Sequence, residues 1–425
     1  MLNFLKHCEN QKPNLFKLLN LLAIMVMLKS KSPWIKDIKI KSLDVINREF
    51  TGNTPPTVFV GSKYINNKKA NVGILSPLDG KDEAWKYDNP NYWYENNYDI
   101  KKIAELRANL INARKISGIF DVRNSNKYLE LAQEIAMSSK TTTVEVELKK
   151  KLRPKLMLDS IHLPFGPSGE INKINTPDNI RLNNKIEKVF YDTDLKATDA
   201  LLSLSKSGFS EYQLSQLLSI GVMGIKYNRK LVPTRWSITA TDDTIGKEHI
   251  KEIKNYHAIK KHRLYFGSYF GNYYLIFLFP DVWGYELFES AMPDNLAGPD
   301  EKIYTVTDHE NYCGRKGYAE NTVGGYYAAR LSLLEELKKL KIQGSCLLLR
   351  YVTSEYSMPL GVFVVRQAVR KALTNQMWEF ENKKEMLDFG RKIIMDKFRY
   401  DINCQLRESR ILTRLRNQTK LNSFF

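Results

Sequence analysis

The sequence predicts an α+β fold, a mixed protein of two globular domains with a flexible basic C-terminal tail. Strand-like and helix-like segments both occur, but they lack the regular strand and helix alternation of a doubly wound sheet. The length of 425 residues exceeds what one hydrophobic core ordinarily holds, which favours two domains.

Six segments show the alternation or the continuous apolar run that is typical of strands. They are residues 57–61, 143–148, 235–240, 269–279, 346–352 and 360–365. Six others show the apolar spacing that is typical of helices. They are residues 100–115, 126–138, 194–207, 211–219, 325–340 and 385–412.

The composition of residues 281–300 predicts the main domain boundary, because prolines and a glycine there separate two strand-like segments. We therefore expect a first domain over residues 51–300 and a second over residues 301–406. Residues 1–50 are predicted to be an N-terminal extension. Residues 407–425 hold five basic residues against one acid, which predicts an exposed basic arm and tail.

The N-terminal extension contains an unbroken apolar run at residues 21–28. The run is too short to span a bilayer, and Lys29, Ser30 and Lys31 follow it instead of a small-residue cleavage site. It is predicted to form an amphipathic helix that docks on the body, with a membrane contact as the less favoured alternative.

The charge balance favours a polyanionic partner. The chain has 65 Lys and Arg against 47 Asp and Glu, a formal net charge of +18. Such a charge attracts DNA through steering and counterion release. A basic surface that has no partner is the alternative.

The four cysteines show no metal-binding pattern. Cys8, Cys313, Cys346 and Cys404 have no C-x-x-C spacing, so neither a zinc site nor a disulfide framework is predicted. They are expected to be reduced, buried thiols of a cytoplasmic protein.

The C-terminal residues match the peptide that binds the sliding clamp PCNA. The pattern requires a glutamine, an aliphatic residue three positions later, and aromatics six and seven positions later. Gln418, Leu421, Phe424 and Phe425 provide all four. In a 3₁₀ turn the first three lie on one side, which gives an apolar plug with an amide at its edge. The alternative is an amphipathic helix that packs the same residues onto the body.

Several internal phrases resemble the archaeal Nre family of DNA repair proteins. They are Thr54-Pro-Pro-Thr-Val-Phe-Val-Gly61, Asn71-Val-Gly73, Pro164-Phe-Gly-Pro-Ser168, Asp192-Thr-Asp-Leu-Lys196, Val232-Pro-Thr-Arg-Trp-Ser-Ile-Thr239, Gly324-Gly-Tyr-Tyr-Ala-Ala-Arg330 and Pro359-Leu-Gly-Val362. The resemblance covers the chain from about residue 50 onward. It implies a clamp-interacting repair protein with an N-terminal and a C-terminal Nre domain, and it implies no settled catalytic activity.

One departure from the family concerns metal. Many relatives begin with a Cys-rich module that looks like a zinc site, whereas this chain offers only His7 and Cys8 there. Zinc is therefore not expected.

Four carboxylates are the candidates for a magnesium site: Asp192, Asp194, Asp242 and Asp243. Magnesium-dependent phosphoryl chemistry needs carboxylates that converge on the ion. Asp242 and Asp243 follow the predicted strand 235–240, where loops commonly hold chemistry. The alternative is that these residues are helix caps and solvated turns. Convergence would favour a metal-dependent nuclease or nucleotide-processing enzyme, and dispersal would favour an adaptor.

Five arginines are the candidate contacts to nucleic acid or phosphate. They are Arg235, Arg330, Arg350, Arg366 and Arg370. A guanidinium group suits phosphate because its N–H donors form a planar fork. Salt bridges to Glu335, Glu336 and Glu355 are the alternative for the four C-terminal arginines. The leading expectation is a clamp-recruited DNA repair factor, with the enzyme as runner-up.

Overall fold

The computed structural model describes residues 48–77, 83–153, 155–294 and 303–417. The predicted N-terminal helix and the clamp-binding pattern lie outside these residues. The described residues fall into two compact units. Unit 1 comprises the described residues between 48 and 245 together with Met358–Phe363. Unit 2 comprises the described residues of Gly246–Ser357 and those from 364 to 417.

A six-stranded mixed sheet forms the centre of unit 1. Its strands are β1 (Glu49–Thr54), β2 (Val58–Val60), β3 (Lys69–Ser76), β4 (Ile111–Gly118), β5 (Thr142–Leu148) and β6 (Ser168–Asn175). Their order in the sheet is β1-β5-β6-β4-β3-β2. All pairs are antiparallel except β4 with β6.

Seven helices accompany this sheet in the described part of the chain. They are α1 (Pro90–Glu95), α2 (Ile100–Ala108), α3 (Lys127–Met137), α4 (Asn184–Tyr191), α5 (Ala197–Lys206), α6 (Glu211–Ser219) and α7 (Thr234–Ile253). Several begin at a side-chain cap, as at Asp99, Asn126 and Ser210. These caps satisfy backbone N–H groups that the first turn leaves unpaired. The last residues of α7, from Gly246, belong to unit 2.

Unit 2 has its own six-stranded sheet. Its strands are β8 (His262–Tyr269), β9 (Asn272–Phe279), β10 (Gly284–Ala291), β11 (Thr305–Glu310), β13 (Ser345–Val352) and β14 (Met377–Phe380). Their order is β11-β10-β13-β9-β8-β14, with only β10 and β13 parallel. The short strands β7 (His257–Ala258) and β12 (Ile342–Gln343) form a separate parallel pair.

The helices of unit 2 include three that end the described chain. They are α8 (Val323–Leu340), α9 (Val362–Thr374), α10 (Lys383–Phe398), α11 (Asn403–Glu408) and α12 (Arg410–Asn417). The first two residues of α9 are assigned to unit 1. Strand β9 is buried along its whole length. Its side chains join those of α10 and α12 in one hydrophobic core cluster.

The α+β prediction is confirmed, but two predicted strands are wrong. Residues 235–240 lie in helix α7, although Trp, Ile and Thr favour strands. Pro233 immediately precedes the helix, where its fixed φ suits a helix start. Thr239 and Ser237 hydroxyls donate to backbone carbonyls one turn back, at 3.3 and 2.9 Å. Ser and Thr ordinarily disfavour a helix because their hydroxyls compete for backbone hydrogen bonds, but here both hydroxyls find acceptors within the helix.

The predicted strand at residues 360–365 instead begins helix α9 at Val362. Val362, Phe363, Val364 and Val365 are all buried, so tertiary packing overrides their strand propensity. Gly361 precedes them with φ +60°, and a Cβ there would lie 2.5 Å from the Ile161 carbonyl oxygen. Only glycine suits this left-handed, crowded position.

Two predicted helices are shorter than expected. Of residues 100–115, only Ile100–Ala108 is helical, and Ile111–Gly118 is strand β4. Residues 385–412 form three helices, because Arg399 adopts φ +55° and ends α10 without a glycine. The compact units also divide the chain at residue 246, whereas the predicted domains divide it near residue 300.

Candidate nucleic-acid contact and the root of the C-terminal tail

A buried polar network surrounds Asp88 in unit 1. Its carboxylate accepts hydrogen bonds from Thr57 Oγ1 at 2.5 Å, Arg107 Nη1 at 2.5 Å and Gln216 Nε2 at 2.9 Å. The Arg107 and Asp88 side chains are only 4% and 6% exposed. Since each buried charge here has its partners, this network stabilises the fold and leaves no group for a ligand.

Three of the phrases that resemble the Nre family meet beside this network. The backbone N–H of Val60 donates to Thr234 Oγ1 at 2.9 Å. The centroid of the Phe59 ring lies 4.7 Å from the centroid of the Phe165 ring and 4.9 Å from that of the His162 ring. The sequence places these phrases far apart, and the fold brings them together around the first turn of α7.

Arg235 is the one predicted arginine whose guanidinium forms no hydrogen bond or ion pair with the described residues. It is half-buried, and its charge acts on Asp159 and His162 nearby. Burial lowers the pKa of His162, and Arg235 and Arg107 act in the same direction while Asp159 opposes them. Burial therefore favours the neutral form of the His162 imidazole. Arg235 thus retains its N–H donors for an anion.

The Asp159 carboxylate lies beside this arginine. Burial raises the pKa of Asp159. The opposing effect is larger, because the charges of His162 and Arg235 and the N–H groups of Ile161 and His162 all lower this pKa. The pKa of Asp159 is therefore below its usual range. The carboxylate accepts the Ile161 N–H at 2.8 Å. A charged aspartate at this position limits how much negative charge the surroundings of Arg235 attract.

Three of the C-terminal arginines are engaged in ion pairs. Arg330 Nη1 lies 2.7 Å from Glu310 Oε2, with both side chains almost fully buried. Arg350 Nη1 lies 2.5 Å from Glu289 Oε1. Arg370 Nε lies 3.0 Å from Glu335 Oε2.

These contacts are the salt bridges that the sequence left open as the alternative. The partner of Arg370 was named correctly, whereas those of Arg330 and Arg350 were not foreseen. Arg366 is 1% exposed and also interacts within the chain. Burial and pairing within the protein therefore favour the alternative over a nucleic-acid groove lined by these four side chains.

The four aspartates predicted for magnesium do not form a metal site. Asp192 is exposed, ends α4 and accepts the N–H groups of Asp194 and Leu195. Asp242 and Asp243 are buried within α7 and interact with the protein. Throughout residues 48–417, where described, no three His, Cys, Asp or Glu side chains form a group that could hold a metal ion. The error follows from taking a helix for a strand.

Other sequence expectations have mixed outcomes. In the described residues no helix is long and apolar enough to cross a membrane. None of the three described cysteines forms a disulfide. Cys346 is buried as expected, whereas Cys313 and Cys404 are exposed, contrary to expectation.

Helix α12 docks on unit 2 and provides the root of the C-terminal tail. Ile411 and Leu412 are buried in the core cluster that contains β9, and Leu415 packs against it. The predicted free arm therefore does not begin at residue 407. Arg414 Nη2 lies 2.8 Å from Asp281 Oδ2, which adds an ion pair on the same helix.

The buried carboxylate of Glu286 holds the start of α12. It accepts the Ser409 hydroxyl at 2.6 Å and the backbone N–H groups of Arg410 at 3.0 Å and Ile411 at 3.1 Å. Burial raises the pKa of Glu286, while these donors oppose the shift. A carboxylate at a helix N-terminus satisfies unpaired N–H groups and interacts favourably with the helix dipole. Sequence reasoning missed this residue, because its partners lie more than 120 positions away.

Replacing Glu286 with alanine should lower the free energy of unfolding by about 2 kcal/mol, because a hydroxyl and two amides lose their buried acceptor. Urea unfolding of the variant measures this loss, and trypsin should cleave faster at Arg410 and Arg416. Glu170→Ala is the matched control, since its ion pair with Lys149 is about half exposed and stabilises little. Equal urea midpoints for Glu286→Ala and the unchanged chain would contradict the assigned role.

Comparison with known proteins identifies the class. The family model described as archaeal Nre, N-terminal, matches residues 30–296, and that described as archaeal Nre, C-terminal, matches residues 310–424. The chain belongs to the archaeal Nre family, as the internal phrases predicted. These model boundaries lie near the predicted division at residue 300, whereas the compact units divide at residue 246.

Individual relatives are similar over most of the chain. The DNA repair protein NreA of Archaeoglobus fulgidus is 34% identical over 397 residues, 93% of this chain and 95% of its own length. The DNA repair protein NreB of the same organism is 33% identical, covering 88% and 92%. The DNA repair protein NreA of Haloferax volcanii is 32% identical, covering 78% and 79%. No solved structure matches the chain.

Proposed function

We propose that this protein is a DNA repair factor that the sliding clamp PCNA recruits to DNA through residues 418–425. The observation that carries the proposal is the sequence pattern of Gln418, Leu421, Phe424 and Phe425. The names of the relatives, all DNA repair proteins, support the repair role. The net charge of +18 supports DNA as the second partner.

The docked helix α12 supports this arrangement. It ends at Asn417, one residue before the pattern begins. Its first turn is fixed by Glu286 and its apolar side by the core of unit 2. The pattern thus follows directly from an anchored point, so its eight residues connect the clamp to unit 2 over a short span. A short connection raises the effective concentration of unit 2 at DNA that the clamp encircles.

Titration of the matching archaeal clamp tests the proposal. Full-length protein should bind, and a chain that ends at Asn417 should not, because it lacks every residue of the pattern. The truncation retains α12, so the fold of unit 2 is preserved and can be checked by urea unfolding. If the truncated chain binds the clamp as tightly as the intact one, recruitment by this tail is wrong. The packed-helix alternative predicts that result together with a lower urea midpoint.

DNA binding should be mainly electrostatic and weakly dependent on sequence. Affinity for a short DNA duplex should fall at least about tenfold between roughly 50 and 200 mM salt, because bound cations are released from DNA. Arg235→Gln should reduce the slope of log affinity against log salt by about 1, the effect of one phosphate contact. Arg391→Gln, which alters an exposed pair with Asp388, is the control. An affinity that does not change with salt would exclude this mode of binding.

A further inference from the structure

Two tyrosines in unit 1 are unusually exposed. Tyr191 at the end of α4 is 68% exposed, and Tyr227 in the 3₁₀ turn Lys226–Asn228 is 69% exposed. No other large hydrophobic side chain among the described residues reaches 45%. A phenol ring in water forgoes the stabilisation that buried aromatic rings provide. Exposed aromatic rings in neighbouring segments therefore indicate a ligand surface.

Arg229 fixes the segment that carries Tyr227. Its guanidinium donates from Nε to the Gly224 carbonyl and from Nη2 to the Phe190 carbonyl, both at 2.7 Å. It also lies 5.0 Å from the centroid of the Phe190 ring. Arg229 is only 6% exposed, so it holds the two segments together from inside the protein and contributes little to the surface.

A direct backbone contact completes the connection between the two segments. The N–H of Lys226 donates to the carbonyl of Thr193 at 2.8 Å. Tyr191 and Tyr227 are thus carried by adjoining, mutually hydrogen-bonded pieces of backbone. Because the two segments are already held in place, ligand binding loses less conformational entropy in ordering the site.

The charge of these two segments suits a polyanion. Residues 181–196 and 226–230 together contain seven basic and three acidic residues. Five of the basic side chains are exposed: Arg181, Lys185, Lys188, Lys196 and Lys226. Among the acids, the Asp192 carboxylate is engaged with the backbone N–H groups of Asp194 and Leu195.

Each tyrosine has a lysine beside it. Lys188 lies three residues before Tyr191 on α4, a spacing that places both on one side of the helix. Lys226 precedes Tyr227 in the 3₁₀ turn. An aromatic ring next to an ammonium group is the arrangement that proteins use to stack an unpaired base and contact its phosphate.

We propose that Tyr191 and Tyr227 stack on unpaired bases of single-stranded DNA, with Lys188 and Lys226 at the neighbouring phosphates. The choice of DNA rests on the proposed repair function, whereas the stacking rests on the exposed rings. Base stacking tolerates any sequence, because every base presents an aromatic face. The site therefore favours single-stranded over double-stranded DNA without selecting a sequence.

Fluorescence anisotropy with a labelled oligothymidylate of about 20 nucleotides, longer than the roughly 4 to 16 nucleotides of a single-strand binding site, tests the proposal without the clamp. The variant with Tyr191→Ala and Tyr227→Ala should bind at least about 30-fold more weakly, since stacking contributes at each position. The variant with Tyr191→Phe and Tyr227→Phe should bind like the unchanged chain, because phenylalanine keeps the ring. Affinity for a duplex of equal length should be the same for all three.

Two further measurements separate stacking from other causes. Tyr304→Ala with Tyr312→Ala removes tyrosines in unit 2 that are 42% and 40% exposed, and it should leave binding unchanged. The salt slope of the Tyr191 and Tyr227 alanine variant should equal that of the unchanged chain, because the phosphate contacts remain.

Three results would overturn the proposal. The first is an alanine variant that binds oligothymidylate as tightly as the unchanged chain. The second is a phenylalanine variant that loses as much affinity as the alanine variant. The third is a response to the substitutions with an oligouridylate only. Clamp titration of the same variants should give unchanged affinity. Failure of the clamp-tail proposal would appear in the clamp titration of the chain that ends at Asn417 and would leave the oligothymidylate result intact.

Discussion

Replacing Phe424 and Phe425 together with alanine should weaken clamp binding by at least about 3 kcal/mol, more than a hundredfold in affinity. In the proposed complex both rings leave water for a hydrophobic pocket, and aromatic anchors of this kind provide most of the binding free energy at small interfaces. The loss should appear mainly as faster dissociation, because truncation removes contacts of the bound state. Calorimetric titration measures the affinity, and surface-based kinetics measure the rates.

The tail itself contains the matched control. Asn422 and Ser423 lie between Leu421 and Phe424 in the sequence and are not among the four residues of the pattern, so Asn422→Ala with Ser423→Ala should retain clamp affinity. Equal loss from both double variants would show that the eight residues do not bind by the proposed pattern. Arg416→Gln, on the exposed end of α12, should slow association and reduce its salt dependence without removing the anchors.

Glu310→Ala should lower the free energy of unfolding of unit 2 by about 3–5 kcal/mol, because it removes the buried carboxylate that pairs with Arg330. Arg330 is 1% exposed and lies 5.2 Å from the Tyr327 ring centroid, so water does not replace the lost partner. Trp283 Nε1 also donates to Glu310 at 3.2 Å and loses its acceptor. Urea unfolding followed by circular dichroism measures the change.

Two control variants show whether the lost stability comes from leaving a buried charge unpaired. Glu379→Ala breaks an ion pair with Arg263 whose side chains are 37% and 24% exposed, and it should cost less than about 1 kcal/mol. Glu310→Leu combined with Arg330→Met removes both charges and should be less destabilising than Glu310→Ala alone. If Glu310→Ala unfolds at the same urea concentration as the unchanged chain, the pair does not stabilise unit 2.

Arg330 illustrates why the sequence alone does not choose between a nucleic-acid groove and ion pairs. In the sequence it is one of several arginines near apolar segments, and its residue type suits phosphate as well as carboxylate. Its partner Glu310 lies on strand β11, and only the pairing of β10 with β11 brings that carboxylate to α8. The choice between ligand and ion pair therefore depends on strand order, which local sequence does not encode. Arg235 differs from these arginines, since its guanidinium forms no ion pair with a described carboxylate, although the charge of Asp159 lies nearby.

Elements with strong local signals were predicted well. Strand β5 alternates buried and less buried side chains as its sequence alternates apolar and polar residues. Helix α6 has the predicted bounds, and Ser210 caps it through the Gln213 N–H. Helix α7 shows the opposite case. Its strand-forming residues are helical because the Ser237 and Thr239 hydroxyls bond within the helix, while Trp236 and Ile238 are only partly buried.

The sequence by itself determined the fold class, the family and the presence of the clamp-binding pattern, because each depends on residues that are close together along the chain. A linear peptide motif in particular needs no partner within its own protein. The tertiary structure alone decided which charges are paired and which are exposed. Glu286 and Ser409 meet across 123 positions, and the segments that carry Tyr191 and Tyr227 adjoin through Arg229 and the backbone contact of Lys226 with Thr193. Such contacts depend on chain topology, because they join residues that are far apart in the sequence and that no local pattern connects.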